Sequence, residues 1–166
     1  MGAENQQERL DARWISGFAD GEGCFYVGIN KSPKMSLKWQ VLPEFRIVQH
    51  KRDINVLKKI QNTLGYGDIR RNHGDRFELR VRKLEDLRRL IKFFEQNPLV
   101  TKKKDDFKLF REIMSLMDKK EHLETKGLHK IAKLASLMNR QVESKYLKSS
   151  ETICQTSVDE DIVRPQ

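Results

Sequence analysis

The stretch WISGFADGEGCFYVGIN, residues 14–30, combines a helical pattern with a strand pattern in one short segment. Apolar residues at helical spacing predict a helix from about Glu8 to Asp20, which Gly21 and Gly23 are expected to break. Apolar and polar residues alternate over 24–30, a pattern typical of a half-buried strand. A helix that leads directly into a strand, with acidic residues at the junction, is the feature around which the rest of the chain is organised.

Similar patterns continue along the chain. The sequence predicts a second strand over 37–49, a helix over 52–65, a hairpin over 68–82 and a helix over 83–97, with further helices over about 104–117 and 126–141. Two pairs of strands, each followed by helical sequence, indicate an α+β fold in which helices cover one face of an antiparallel sheet.

Composition and charge limit the possible classes of protein. The 166 residues carry a net charge of +9, and because the last sixteen carry −3, residues 1–150 carry +12. A basic domain of this kind typically binds a polyanion. We expect one domain over 1–145 and a disordered acidic tail over 146–166. No apolar run reaches the ~20 residues of a membrane span and no secretory signal is visible, so we expect an intracellular protein that does not enter membranes.

Alternation along the strands places a set of long polar side chains on the sheet face opposite the helices. Arginine and glutamine can make paired hydrogen bonds to guanine and adenine, and glutamate can accept from cytosine, in the major groove of duplex DNA. The alternative for any one of them is a simple exposed polar face. The predicted DNA-binding residues are Tyr26, Asn30, Lys38, Gln40, Glu44, Arg46, Arg70, Arg76, Glu78 and Arg80.

Two glycines in the first helix stand four residues apart, on one helical face. Gly17 and Gly21 would allow the backbone of a second helix to approach closely. A C-terminal stop signal would explain Gly21 but would leave Gly17 without a role. The spacing therefore favours a helix-packing surface.

The segment ISGFADGEG, residues 15–23, resembles the motif of the LAGLIDADG homing endonucleases, and the likeness extends over roughly residues 10–141. Single-motif members of that family are encoded in group I introns. The resemblance implies an αββαββα fold with a saddle-shaped antiparallel sheet. It also implies a homodimer with Gly17, Asp20 and Gly21 at its interface, since one motif gives half a site and the chain is too short for two copies.

The resemblance further implies a metal-dependent active site. Glu22 and the main-chain carbonyl of Gly21 would bind Mg²⁺, with Mn²⁺ able to substitute, since glutamate retains the oxygen ligands of the more frequent aspartate. Gln49 would position water, and Lys102 would stabilise charge at the scissile phosphate. Lys103 is the alternative for this last role, because the run of three lysines leaves the register open by one residue.

The function implied by the resemblance is site-specific cleavage of double-stranded DNA at a long pseudo-palindromic target, in support of intron mobility. An organelle (chloroplast or mitochondrion) or a prokaryotic cytoplasm would be the setting. Lys51 or Arg52 could take a peripheral basic role that an arginine has in some relatives. The alternatives are a maturase that binds intron RNA with the same fold and a DNA-binding regulator that does not cut.

Overall fold

The computed structural model describes residues 9–139 and 145–148. The first seven elements follow the order αββαββα, and two further helices come after them. They are α1 (Ala12–Glu22), β1 (Gly23–Lys31), β2 (Trp39–His50), α2 (Ile54–Leu64), β3 (Asp68–Arg71), β4 (Arg76–Val81), α3 (Leu84–Gln96), α4 (Lys103–Asp118) and α5 (Thr125–Ser136).

The four strands form one antiparallel sheet in the order β1-β2-β4-β3. Strand β4 pairs with both β2 and β3, so that Phe45 lies opposite Val81 and Gln49 lies opposite Phe77. The predicted α+β class, with its antiparallel sheet, is confirmed.

Helix α1 differs from its predicted bounds at both ends. It begins at Ala12, since the Asp11 side chain accepts hydrogen bonds from the backbone N–H groups of Arg13 and Trp14. It runs through Gly21 to Glu22, so the prediction that Gly21 breaks the helix is wrong. A single glycine costs a helix only about 1 kcal/mol. The next residue, Gly23, has an extended backbone, and a Cβ atom there would lie 2.6 Å from the Ala19 carbonyl oxygen.

The described residues fall into two compact units that interleave along the chain. The first holds the residues up to 25 and residues 43–108, including α1, α2, β3, β4 and α3. Its core is an aromatic cluster around Phe25, whose ring centroid lies 4.9 Å from that of Phe45, 5.6 Å from Phe94 and 5.5 Å from Phe107. These contacts hold the start of β1, directly after α1, in a fixed position.

The second unit holds residues 26–42 and the described residues from 109 onward. Val27 and Ile29 of β1 and Trp39 and Val41 of β2 are buried, as the alternation predicted. Tyr146 belongs to the predicted tail, and its ring packs edge-on against Trp39 at 5.3 Å. Residues 149–166 of that tail lie outside the described residues, and their disorder stays a prediction.

No helix in the described ranges is both long and apolar enough to span a lipid bilayer.

Candidate active site and arginine-rich strand surface

The exposed C-terminal end of α1 brings together two residues that the sequence predicted to act together. Glu22 is the last residue of the helix and Gln49 lies near the end of β2. The Gln49 Nε2 atom donates a hydrogen bond of 3.2 Å to Oε2 of Glu22. Both side chains are accessible to solvent, so a ligand can reach the carboxylate.

A lysine lies beside the same helix end. The Lys103 ammonium group donates a hydrogen bond to the carbonyl of Gly23 and is partly buried, whereas Lys102 is exposed. Helix α4 begins at Lys103, and the turn before it fixes the register that the sequence left open. Of the two candidate lysines, the geometry therefore favours Lys103.

Asp20 of α1 fixes the turn at Val100 and Thr101, which precedes α4 in the same chain. Its carboxylate accepts hydrogen bonds from the Val100 N–H at 2.6 Å, the Thr101 N–H at 3.1 Å and the Thr101 hydroxyl at 2.7 Å. Burial raises the pKa of Asp20, but these hydrogen bonds and the nearby Lys103 charge outweigh it, and the pKa lies below its usual value. Asp20 thus couples the end of α1 to the start of α4. Its main partner is Thr101, a residue that was not among those predicted from the sequence to belong to the site.

The oxygen donors at this helix end suit a hard divalent cation. They are the Glu22 carboxylate, the Gln49 amide oxygen and the main-chain carbonyl of Gly21, which lies in the last turn of α1, where carbonyls lack intrahelical partners. Across the described ranges no three His, Cys, Asp or Glu side chains are grouped so that they could hold a metal. Among the described residues, the donor set at this helix end therefore fits a divalent cation and contains a single carboxylate.

Helix α1 has one packed face and one open face. Ile15, Ser16 and Ala19 are buried, and the Ser16 hydroxyl donates to the Asn97 carbonyl at 2.7 Å. A Cβ atom built on Gly17 or Gly21 would meet no atom within 4 Å. The open face also carries Trp14, which is 45% exposed and stacks on Phe18 with a centroid distance of 5.1 Å. In residues 9–139 and 145–148, no atom packs against the position that a Cβ would take on either glycine.

In the first unit, five of the predicted DNA-binding residues form a group of charges: Arg46, Arg70 and Arg80 lie within 3.8 Å of Glu44 or Glu78. Arg46, Arg70, Arg76 and Arg80 retain at least partial exposure. The expectation that Glu44 and Glu78 are solvent-facing is wrong, because they are only 7% and 4% exposed. Arginine side chains cover them, an arrangement that strand alternation cannot reveal.

Arg82 belongs to the same group but was absent from the predicted set. Its Nε atom lies 3.7 Å from Oε2 of Glu44. Arg82 continues the alternation of Arg76, Glu78 and Arg80 by one step beyond the end of β4. This alternation was the sequence signal that could have added Arg82 to the predicted set.

In the second unit, the four predicted DNA-binding residues are all exposed. Tyr26 and Asn30 flank Gly28 on β1, where a built Cβ would lie 3.2 Å from the Tyr26 ring and 3.5 Å from Asn30 Nδ2. Gln40 is exposed on β2. Lys38 precedes that strand with a positive φ of 61°, and its Nζ donates to the Pro33 carbonyl at 3.2 Å.

Comparison with known proteins gives the family. The sequence profile described as LAGLIDADG endonuclease matches residues 15–114. "Probable intron-encoded endonuclease 3" of Neurospora crassa is 35% identical over 130 residues, which is 76% of this chain and 24% of that protein. The chain covers only 24% to 34% of the length of this relative and of three other curated relatives.

Solved structures agree with this match. The homing endonuclease I-TnaI superposes with a TM-score of 0.78 at 46% identity, over 93% of this chain and 99% of that one. I-SmaMI, solved on its uncleaved DNA target in the presence of calcium ions, superposes with a TM-score of 0.79 at 30% identity, over 95% of this chain and 52% of that one. The motif, the order of elements and these matches lead to one conclusion: the chain belongs to the LAGLIDADG endonuclease family.

Proposed function

We propose that this chain is an intron-encoded homing endonuclease that cuts both strands of a specific duplex DNA site as a metal-dependent homodimer. The observation that carries the proposal is the grouping of Glu22, Gln49 and Lys103 at the exposed end of α1. A carboxylate, an amide and an ammonium at one solvent-accessible point are groups that metal-assisted phosphodiester hydrolysis can use. Relatives named as an intron-encoded endonuclease and a homing endonuclease support both the reaction and the intron origin.

Each residue has a distinct role in the proposed reaction. Glu22 and the Gly21 carbonyl would hold Mg²⁺ or Mn²⁺, which when bound supplies Lewis-acid polarisation of the phosphodiester. Gln49 orients the Glu22 carboxylate through its hydrogen bond and can orient water with its remaining polar atoms. Lys103, rather than Lys102, would place its positive charge against the scissile phosphate.

The homodimer is supported by what one protomer leaves incomplete. Gly17 and Gly21 leave open space on α1, and a single carboxylate rarely holds a divalent cation alone. A second α1 packed against the glycines would bring two Glu22 carboxylates together, where their repulsion favours bound cations. Asp20 would then act at the interface indirectly, through the turn that it holds.

Duplex DNA would lie along the polar strand residues. The arginines of β2, β3 and β4 in the first unit present bidentate donors suited to guanine, and Asn30 and Gln40 in the second unit present amides suited to adenine. I-SmaMI was solved on DNA, which supports duplex DNA as the partner. The organelle or prokaryotic setting stays a prediction.

The test is selection of cleaved sites from a plasmid library that carries randomised duplex inserts, with purified protein and Mg²⁺. We expect one long pseudo-palindromic family of inserts to be cut, and Glu22→Gln to abolish cutting while binding in Ca²⁺ persists. Glu85→Gln, on the exposed surface of α3, is the matched control and should cut normally.

Other outcomes would point to other functions. Tight binding to intron RNA, with no insert cut under any metal, would overturn the proposal in favour of a maturase. Metal-independent binding to one duplex sequence, again without cutting, would favour a regulator.

A further inference from the structure

Two glutamates on the strand surface lie in an unusual environment. Glu44 on β2 and Glu78 on β4 are, with Ser16, the buried polar residues of the described chain. Burying an ionised carboxylate costs free energy unless other charged or polar groups compensate it. The partners of each glutamate therefore indicate why it is there.

Glu44 lies beneath three arginines. Its Oε1 atom is 3.7 Å from a terminal nitrogen of Arg46, and its Oε2 atom is 3.8 Å from Arg80 and 3.7 Å from Arg82. These arginines come from β2, from β4 and from the residue just after β4. One carboxylate thus connects side chains from two neighbouring strands.

Glu78 repeats the arrangement on the other side of Arg80. Its Oε1 atom is 3.6 Å from Arg70 Nε and 3.8 Å from Arg80 Nε. Its Oε2 atom accepts a hydrogen bond of 2.7 Å from Asn72 Nδ2, which fixes the carboxylate itself. Arg80 is therefore shared by both glutamates, and all these residues form one connected cluster.

The arginine cluster, defined as Arg46, Arg70, Arg80 and Arg82, is more exposed than the acids beneath it. The arginine side chains are 38%, 51%, 20% and 44% exposed, whereas the side chain alone is 10% exposed in Glu44 and 6% exposed in Glu78. Four positive charges over two negative ones leave a surplus of two, so the surface can still attract an anion. At 3.6–3.8 Å the nitrogen–oxygen pairs are longer than a hydrogen bond, so attraction between charges orients the guanidinium groups.

We propose that Glu44 and Glu78 are positioning residues that hold the arginine cluster in its DNA-reading orientation before DNA arrives. This inference rests on the proposed function and assigns the two acids to sequence discrimination rather than to affinity. A preordered arginine loses less side-chain entropy on binding, and only one orientation matches a guanine edge. A carboxylate beneath cationic groups also lowers the general attraction to phosphate, so removing it should strengthen binding to any sequence.

The test compares wild type with Glu78→Gln and Glu44→Gln in selections from a randomised duplex pool, with Ca²⁺ to permit binding without cutting. We expect each variant to bind random duplex at least as tightly as wild type. Its ratio of selected-site to random-site affinity should fall about tenfold, the scale of one lost bidentate contact. Glu85→Gln should leave the ratio unchanged.

Asn72→Ala provides a second variant that changes no charge. It removes the donor that fixes Glu78, so discrimination should fall while the salt dependence of binding stays the same. In a double-mutant cycle, Arg70→Lys and Glu78→Gln together should lose less discrimination than the sum of the two single losses, because the two variants share the Arg70–Glu78 contact.

Three results would overturn the inference. If the variants melt at a lower temperature and bind selected and random duplex equally more weakly, the glutamates only stabilise the fold. If the variants bind both duplexes equally more tightly, the glutamates only reduce the positive charge of the surface. Unchanged discrimination in all variants, with wild type still selecting a site, would refute the inference alone. Failure of wild type to select any duplex would instead refute the proposed function, and this inference with it.

Discussion

Gln49 on β2 donates a hydrogen bond of 3.2 Å to the carboxylate of Glu22, the last residue of α1. The two residues are 27 positions apart, and the turn from α1 into β1 at Gly23 helps to place them together. The hydrogen bond limits the rotamers of an exposed carboxylate that is proposed to bind metal. Residues around Glu22 that do not bind metal themselves should therefore influence activity.

Replacing Gln49 with leucine should lower the rate of cleavage roughly a hundredfold, the scale of losing one group that orients a reactant. Affinity for the selected duplex in Ca²⁺ should change little, since the variant retains every charge. Single-turnover cleavage and equilibrium binding measure the two effects. Gln96→Leu on the surface of α3 is the control. Equal losses in binding and cleavage would contradict a role in orienting the site.

Lys103→Met should lower the cleavage rate roughly a hundredfold or more, because it removes the charge proposed to face the phosphate. Lys102→Met tests the alternative register, and its effect should be far smaller because that side chain points into solvent. Lys104→Met is the control for lost charge in the same turn. Rates measured at saturating protein separate cleavage from binding. A larger loss for Lys102→Met than for Lys103→Met would reverse the assignment.

Gly17→Leu should leave the protomer folded but prevent dimerisation. A Cβ atom built on Gly17 would meet no atom within 4 Å, and replacing a helical glycine stabilises a helix by about 1 kcal/mol. The bulkier residue would block close approach of a second α1. Sedimentation with the selected duplex should show a dimer for wild type and a monomer for the variant. The variant should not produce double-strand breaks. A Gly17→Leu variant that dimerises and cuts normally would exclude this face as the interface.

Asp20→Asn should destabilise the fold by about 1.5 kcal/mol at neutral pH, since hydrogen bonds to a charged acceptor are lost or weakened. The pKa of Asp20 is lowered, so its contribution is fully present above the ordinary value of 3.8 and is lost as pH falls through the lowered pKa. The stability difference between wild type and variant should thus shrink in acid. Denaturant unfolding at pH 7 and near pH 3 measures it. Asp75→Asn, in the exposed β3–β4 turn, should show no such pH-dependent difference.

His122 should make stability sensitive to mild acid. Burial lowers its pKa below 6.5, and its Nδ1 atom is buried without a hydrogen-bond partner in the described structure. As pH falls below 6.5 the unfolded chain takes up a proton that the folded chain resists, so stability decreases. His122→Gln should reduce the slope of melting temperature against pH between 7.5 and 5.5, and His73→Gln in the exposed turn should not. Equal slopes for wild type and His122→Gln would assign the effect to other groups.

Local physical chemistry made much of the fold predictable. Apolar spacing gave the order of helices and strands, because a segment must bury one face whatever it packs against. Phe25, Val27 and Ile29 are buried as alternation required. The errors occur where a local signal was weak. Gly21 did not end α1, because its small helical cost was outweighed. The helix ends at Glu22, directly before Gly23, the other predicted break, which the Ala19 carbonyl approaches too closely for any side chain.

By itself, the sequence determined the α+β class, the family motif and the types of residue at the helix end, since these depend on periodicity and on a short contiguous segment. Only the tertiary structure decided which lysine reaches the motif and that Glu44 and Glu78 are covered by arginines. Both depend on contacts between residues distant in the chain, set by the turn that Asp20 fixes and by the register of neighbouring strands. Alternation along one strand shows which way a side chain points, and only packing shows what lies on top of it.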